Sequence, residues 1–151
     1  MLLVTGAAGY VGSALVAELV RHGLPVRAGV RDPLRPAALP ESVPRVRADL
    51  DDEASLRAAV QGCTGVFHVA AVIRPSAAET ARANVEGTAR LLRAAAAAGV
   101  RRLVYTSTTA AIIDSTGQVS ERTSTGTALP DPYARSKAVA EGLVLAAVAD
   151  G

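Results

Sequence analysis

Two groups of residues have types and spacing suited to chemistry. Near the end of the chain, Tyr133 and Lys137 stand four residues apart in Tyr133-Ala134-Arg135-Ser136-Lys137. On a helix that spacing puts the phenol and the ammonium on one face. The positive charge then favours the phenolate and brings the tyrosine closer to acid or base work near neutral pH. The same five residues also suit an ordinary exposed pair on a surface helix, and alone they favour that plainer reading. At the start of the chain stands Thr5-Gly6-Ala7-Ala8-Gly9-Tyr10-Val11-Gly12. Gly6 can take a turn that a side chain forbids, Gly9 lets backbone approach a pyrophosphate, and Gly12 lets a helix pack close to a strand. The free N–H groups of a helix opening at Tyr10 and Val11 would face the phosphates with the positive end of the helix dipole. A loop needing glycine only for its turn is the blander reading, and the placement between a strand and a helix favours dinucleotide binding.

Those groups need elements to hold them, and hydrophobic periodicity supplies a series. Leu2-Leu3-Val4 reads as a buried strand, and a helix from Val11 to Arg21 follows, closed by Gly23. Further strands are expected over 26–31, 46–50, 66–70 and 102–107, with helices over 53–61 and 77–98. Pro33, Pro36, Pro40 and Pro44 mark a connection after the second strand, and the Ala94 to Ala98 run is read as helix from its propensity. Asp131 and Pro132 form an N-cap and first-turn proline, which starts a helix bearing both Tyr133 and Lys137. Strands alternating with helices predict an α/β fold, a doubly wound parallel sheet with helices on both faces, as one domain over residues 1–151.

Composition bounds the function. With 151 residues, half of them hydrophobic and 20% charged, one core of useful size can form. A dispersed net charge of +2 and only four aromatic residues argue against a nucleic-acid partner. Cys63 is the single cysteine, so no internal disulfide forms, and it reads as a small core residue. His68 alternates into the sheet and also reads as core, while His22 at a helix end suits the dipole. No metal site is expected. The chain opens directly in a strand, without a basic leader, and has no apolar run near the roughly 18–20 residues of a span. These features lead to the expectation of a cytoplasmic protein with no membrane partner.

Taken in order, the segments Val4 to Gly12, "VRAGVRDP" at Val26 to Pro33, "ADL" at Ala48 to Leu50, "VFHVAA" at Val66 to Ala71, "NVEGT" at Asn84 to Thr88, "RLVYTST" at Arg102 to Thr108 and "YARSK" form a specific series. Along essentially its whole length the chain resembles the extended short-chain dehydrogenase/reductase superfamily, also described as NAD-dependent epimerases/dehydratases. That resemblance implies a Rossmann-type fold. It also implies that Thr108 hydrogen-bonds the substrate oxygen, that Tyr133 passes the proton, and that Lys137 lowers the tyrosine pKa and binds the nicotinamide ribose. Thr108 as a strand-end hydroxyl satisfying a turn stays open, and Ser107 is the neighbouring candidate. By the same resemblance Asp49 and Leu50 contact adenine, Val69, Ala70 and Ala71 lie beneath the cofactor, and Asn84 stands near its nicotinamide half. A buried Asn84 tying down backbone is an equal alternative.

The end of the second strand bears on the cofactor. NAD-selective sites place a carboxylate there for the ribose 2′-OH, whereas this chain has Val30 then Arg31, and a guanidinium suits a 2′-phosphate. NADP(H) is therefore preferred, with NAD(H) left open because Asp32 follows. Sugar dehydratases of the family carry an acidic pair after the catalytic threonine, but Thr108 is followed by Thr109, Ala110 and Ala111. That disfavours dehydration, and "VRAGVRDP" together with "VFHVAA" and "VYTST" resembles the dihydroflavonol reductase and 3β-hydroxysteroid dehydrogenase branch, which acts on ketones or alcohols, with a sugar-nucleotide epimerase as the alternative. Family members continue beyond the tyrosine helix into a region that forms the substrate pocket, while this chain ends at Asp150-Gly151. The expectation is a fold truncated before that region, acting on a small-molecule substrate or persisting as a catalytically incomplete dinucleotide-binding module. A homodimer through the long helix and the tyrosine helix is a further expectation.

Overall fold

In the first segment Leu3 and Val4 point to opposite faces of one strand, and each face is covered by a different set of helices. The computed structural model describes residues 1–72, 76–112, 119 and 131–149. In chain order its elements are β1 (Leu2–Thr5), α1 (Tyr10–Arg21), β2 (Val26–Val30), β3 (Arg45–Arg47), α2 (Glu53–Val60), β4 (Gly65–His68) and α3 (Ala77–Ala81). A π-helical segment (Arg82–Glu86) leads into α4 (Gly87–Ala97), β5 (Arg102–Tyr105), a 3-10 turn (Thr109–Ile112) and α5 (Pro132–Ala149). The chain gathers into two compact units, residues 1–71 with 90–106 and residues 72–89 with 107–151.

The first unit holds the whole sheet, in the order β3-β2-β1-β4-β5, with every pair parallel. Val4 of central β1 lies opposite Ala28 on one side and Phe67 on the other. Leu3 packs with Leu56, Ala59 and Val60 of α2 and with Leu91 and Ala94 of α4. Val4 packs with Val16 and Leu19 of α1 and with Leu39 and Val43 of the proline-rich connection. Helices therefore cover both faces, as the alternation predicts. The strand order turns back between β1 and β4, which is the switch point where sheets of this kind open a crevice at their carboxyl ends.

Several boundaries differ from the sequence expectation, among them the fifth strand, which ends at Tyr105 rather than residue 107. The third strand ends at Arg47 rather than Leu50. Beyond it, Asp49 Oδ1 accepts the Asp51 N–H at 3.1 Å and Asp52 Oδ1 caps α2 by accepting the Ser55 N–H at 3.1 Å. Such side-chain bonds offer the backbone an alternative to the ladder. The fourth strand is shifted to Gly65–His68, one residue earlier at its start and two at its end. The helix expected over 77–98 is interrupted by the π segment, where Thr88 Oγ1 donates to the Asn84 carbonyl at 2.6 Å.

The second unit contains α3, the π segment, the first residues of α4, the 3-10 turn and α5. Asp131 caps α5 as expected, its Oδ2 accepting the Ala134 N–H at 2.7 Å. Among the described residues, no helix is long and apolar enough to cross a membrane. Nor do three or more metal-ligating side chains cluster among them.

Candidate functional site

The first unit builds a thin crest from backbone. Thr5 ends β1 fully buried, and its Oγ1 accepts the Ala70 N–H at 3.2 Å while hydrogen-bonding His68 Nδ1 at 2.9 Å. His68 is thus a core residue, as expected. Gly6 follows with φ +66°, and a Cβ there would stand 2.8 Å from the Ala70 Cα. A Cβ on Gly12 would overlap the Gly6 carbonyl, so the helix and the turn touch through backbone alone. Gly9 caps α1 with no side-chain hydrogen bond, which leaves the first-turn N–H groups without a side-chain acceptor. Tyr10 is 95% exposed and Val11 is exposed beside it. Open N–H groups at a helix start, over a turn that excludes Cβ atoms, fit a pyrophosphate.

Other expected contact residues lie in the same unit. Arg31 follows β2, exposed and without an ion-pair or hydrogen-bond partner among the described residues. Its neighbour Asp32 is engaged, Oδ1 accepting the Leu34 N–H at 3.0 Å. Asp49 is half-buried, whereas the Leu50 side chain is buried in the core, so Leu50 offers its backbone. That backbone is held by Arg90 of α4, whose Nη1 donates to the Leu50 carbonyl at 3.0 Å. Val69, Ala70 and Ala71 are half-buried just past β4. Cys63 is buried, and burial pushes its thiol pKa up, consistent with a packing role.

The second unit brings together Asn84, Ser107, Thr108 and α5. On α5, Tyr133 is half-buried, with no phenol partner among the described residues. Lys137, one turn on, is only 2% exposed. Burial lowers its pKa from 10.5 to about 8, and the carboxylate of Glu141 pulls the other way. Thr108 Oγ1 accepts the Ala110 N–H at 3.3 Å, so it does cap the 3-10 turn, and its O–H remains able to donate. Ser107 is committed elsewhere, its hydroxyl donating to Glu141 Oε2 at 2.5 Å. Asn84 is 2% exposed and ties down backbone directly. Its Oδ1 accepts the Val72 N–H at 2.8 Å, and its Nδ2 donates to the Val72 carbonyl and to Ser136 Oγ, both at 2.9 Å. Ser136 passes the link on by donating to the Tyr133 carbonyl at 2.7 Å.

Arg90 and Glu141 escape a reading of motifs, as do the bonds made by Thr5 and Ser136 within them. One signal was available in composition alone. Lys137 is the only lysine among the sixteen Lys and Arg residues of the sequence. A chain that uses arginine at every other basic position keeps lysine where a compact, titratable ammonium fits and a guanidinium does not.

Comparison with known proteins agrees with this geometry. The family described as "NAD dependent epimerase/dehydratase family" matches residues 2–151. Cinnamoyl-CoA reductase 1 of Oryza sativa subsp. japonica is 42% identical over 120 residues, covering 74% of this chain and 35% of that protein. Dihydroflavonol 4-reductase of Zea mays is 43% identical over 120 residues, covering 70% and 34%. Among solved structures, a short-chain dehydrogenase/reductase superfamily protein from Agrobacterium tumefaciens with bound NAD aligns with a TM-score of 0.81 at 35% identity, covering 95% of this chain and 44% of that one. The chain spans about a third of the length of these curated relatives. A glycine turn at the sheet's switch point, a Tyr-Lys pair on one helix face and a family match along nearly every residue lead to one conclusion: the chain belongs to the NAD-dependent epimerase/dehydratase family of extended short-chain dehydrogenases/reductases.

Proposed function

We propose that this chain carries the dinucleotide-binding and proton-transfer residues of an NAD(P)(H)-dependent oxidoreductase that interconverts a ketone and an alcohol on a small molecule. The observation that carries the reading is the buried ammonium of Lys137 one helical turn from a phenol with no described partner. The crest of Gly6, Gly9, Tyr10, Val11 and Gly12 would hold the pyrophosphate. Asp49 and the Leu50 backbone would meet the adenine, and Val69 to Ala71 would lie beneath the cofactor. When bound, the nicotinamide supplies hydride exchange with the substrate carbon. Tyr133 gives its proton to the carbonyl oxygen in the reducing direction and takes it back in the oxidising one. Thr108 donates its hydroxyl hydrogen to the same oxygen. Lys137 places its charge beside Tyr133 and binds the ribose. Asn84, with its amide committed to Val72 and Ser136, serves this arrangement by holding backbone in place near the nicotinamide half.

NADP(H) is the cofactor this reading prefers. Arg31 is free to meet a 2′-phosphate, while Asp32, the carboxylate that could favour a 2′-OH, has its Oδ1 turned to the Leu34 N–H. The names of the two plant relatives, both reductases, support reduction over epimerisation. A groove in the second unit lined by Ala77, Ala81, Val85, Pro132 and Val139, with Leu145 and Val148 exposed further along α5, supports a homodimer through these helices. A lone buried cysteine suits a reducing compartment, here the cytoplasm.

Calorimetric titration with NADPH and NADH, repeated on Arg31→Ala, tests the reading. NADPH is expected to bind more tightly than NADH, with that preference lost in the variant. Reduction of a carbonyl panel is expected to fall by at least about 100-fold in Tyr133→Phe. Failure to bind either nucleotide would overturn the assignment.

A further inference from the structure

Glu141 stands one helical turn beyond Lys137 and two beyond Tyr133 on α5, so the three share a face. Its carboxylate is not a loose surface group. Glu141 is half-buried, and its Oε2 accepts the Ser107 hydroxyl at 2.5 Å, a bond that spans 34 residues of sequence and fixes where the negative charge sits. The nearby ammonium is 2% exposed, and an ammonium taken out of water needs a compensating charge to stay protonated. Elements packed on α5 carry Glu79, Arg82 and Glu86, α5 itself carries Arg135, and the 3-10 turn carries no ionisable group. Of these charges, Glu141 is the one that opposes the effect of burial at Lys137.

We propose that Glu141, oriented by Ser107, is the counter-ion of Lys137 and acts as a positioning residue that keeps the ammonium charged beside Tyr133. The inference rests on the oxidoreductase reading for the use made of Lys137, but it can be tested without turnover. It also gives Ser107 a part distinct from that of Thr108. Ser107, two residues past β5, orients a carboxylate, and Thr108 keeps its own hydroxyl hydrogen available.

Because Lys137 is the only lysine of the sequence, labelling lysine with 13C or 15N yields a single side-chain signal whose titration NMR follows directly. Glu141→Gln keeps an acceptor for Ser107 and removes the charge. Its Lys137 midpoint is expected to fall below that of the unsubstituted chain by on the order of one unit. Ser107→Ala should produce part of that fall, and the double variant no more than Glu141→Gln alone, since both act through one carboxylate. Glu141→Asp, which keeps the charge, should restore most of the midpoint and covers the case in which the glutamine variant does not fold. An unchanged or raised midpoint in Glu141→Gln would overturn the proposal. So would a Ser107→Ala effect that is absent, or that adds in full to the effect of Glu141→Gln. If the midpoints move as expected while the unsubstituted chain binds no nucleotide, the counter-ion stands and the oxidoreductase reading falls.

Discussion

The backbone of Ala70 stands directly against Gly6: a Cβ added to Gly6 would lie 2.8 Å from the Ala70 Cα and 2.9 Å from its nitrogen. Neighbouring strands β1 and β4 deliver these two residues to the same end of the sheet, and the Thr5 hydroxyl pins the Ala70 N–H in place. Backbone cannot yield as a flexible side chain can, so the crest that fits a pyrophosphate depends on hydrogen at this position.

Gly6→Ala is therefore expected to cost more than the conformational penalty of its positive φ. Gly23 provides the control, because its φ of +68° is nearly the same but a Cβ there meets nothing within 4 Å. Gly23→Ala should cost about 1–2 kcal/mol, the ordinary price of a left-handed alanine. Gly6→Ala should add the cost of moving Ala70, and thermal denaturation of the two variants isolates that difference. Equal losses would show that the contact with Ala70 carries no energy.

Asn84 yields a second expectation. Its amide satisfies both polar groups of Val72 and reaches Ser136, 52 residues away in sequence. Asn84→Asp keeps the shape and the acceptor of the Val72 N–H but removes both N–H donors, leaving the Val72 carbonyl without its donor and a negative charge buried without a counter-ion. A loss of roughly 2–4 kcal/mol in urea unfolding is expected, from broken bonds plus the stranded charge. A loss below about 0.5 kcal/mol would show that the amide network is dispensable.

This residue also marks where the sequence stops being legible. Short-range pattern is enough for β1, α1 and the capped start of α5, because the apolar period, Asp131 and Pro132 are local. The glycine turn is legible for the same reason. The π segment is not, since it coincides with an amide whose partners are Val72 and Ser136, distant along the chain. Glu141 stays hidden until Ser107 is seen to meet it. The third strand ends early through bonds among Asp49, Asp51, Asp52 and Ser55, residues that can end a strand or decorate it with equal ease. Arg31 was readable as a free cation, but not the engagement of Asp32 with Leu34.

Arg27 supplies a third expectation. Placed on β2, it sends Nη1 to the carbonyls of Ala59 and Gln61, both at 2.8 Å, where α2 ends and its carbonyls lack helical partners. The guanidinium thus satisfies the end of α2 and complements its dipole. Arg27→Met retains the apolar stem and should cost about 1–3 kcal/mol in denaturant unfolding. If Arg27→Lys restores full stability, a point charge suffices and the paired bonds of the guanidinium do not matter.

The last expectation concerns pH and follows from Lys137. Its folded pKa of about 8 lies below the ordinary value of 10.5, because burial disfavours the charged form. Below about pH 8 both folded and unfolded chains carry the proton, and the folded state bears the whole penalty of a buried ammonium. Between about 8 and 10.5 the unfolded chain binds more protons than the folded one, so stability should rise with pH across that window. The gain is at most about 3.5 kcal/mol, since each pKa unit is worth about 1.4 kcal/mol. Lys137→Met has no such proton to lose and should be flatter over the same range in thermal unfolding followed against pH. Glu141→Gln should begin its rise at a lower pH and gain more in total, because removing the counter-ion lowers the folded pKa and widens the window. If all three chains follow one curve of stability against pH, the ammonium is better solvated than its burial implies, and other groups set the alkaline behaviour of the fold.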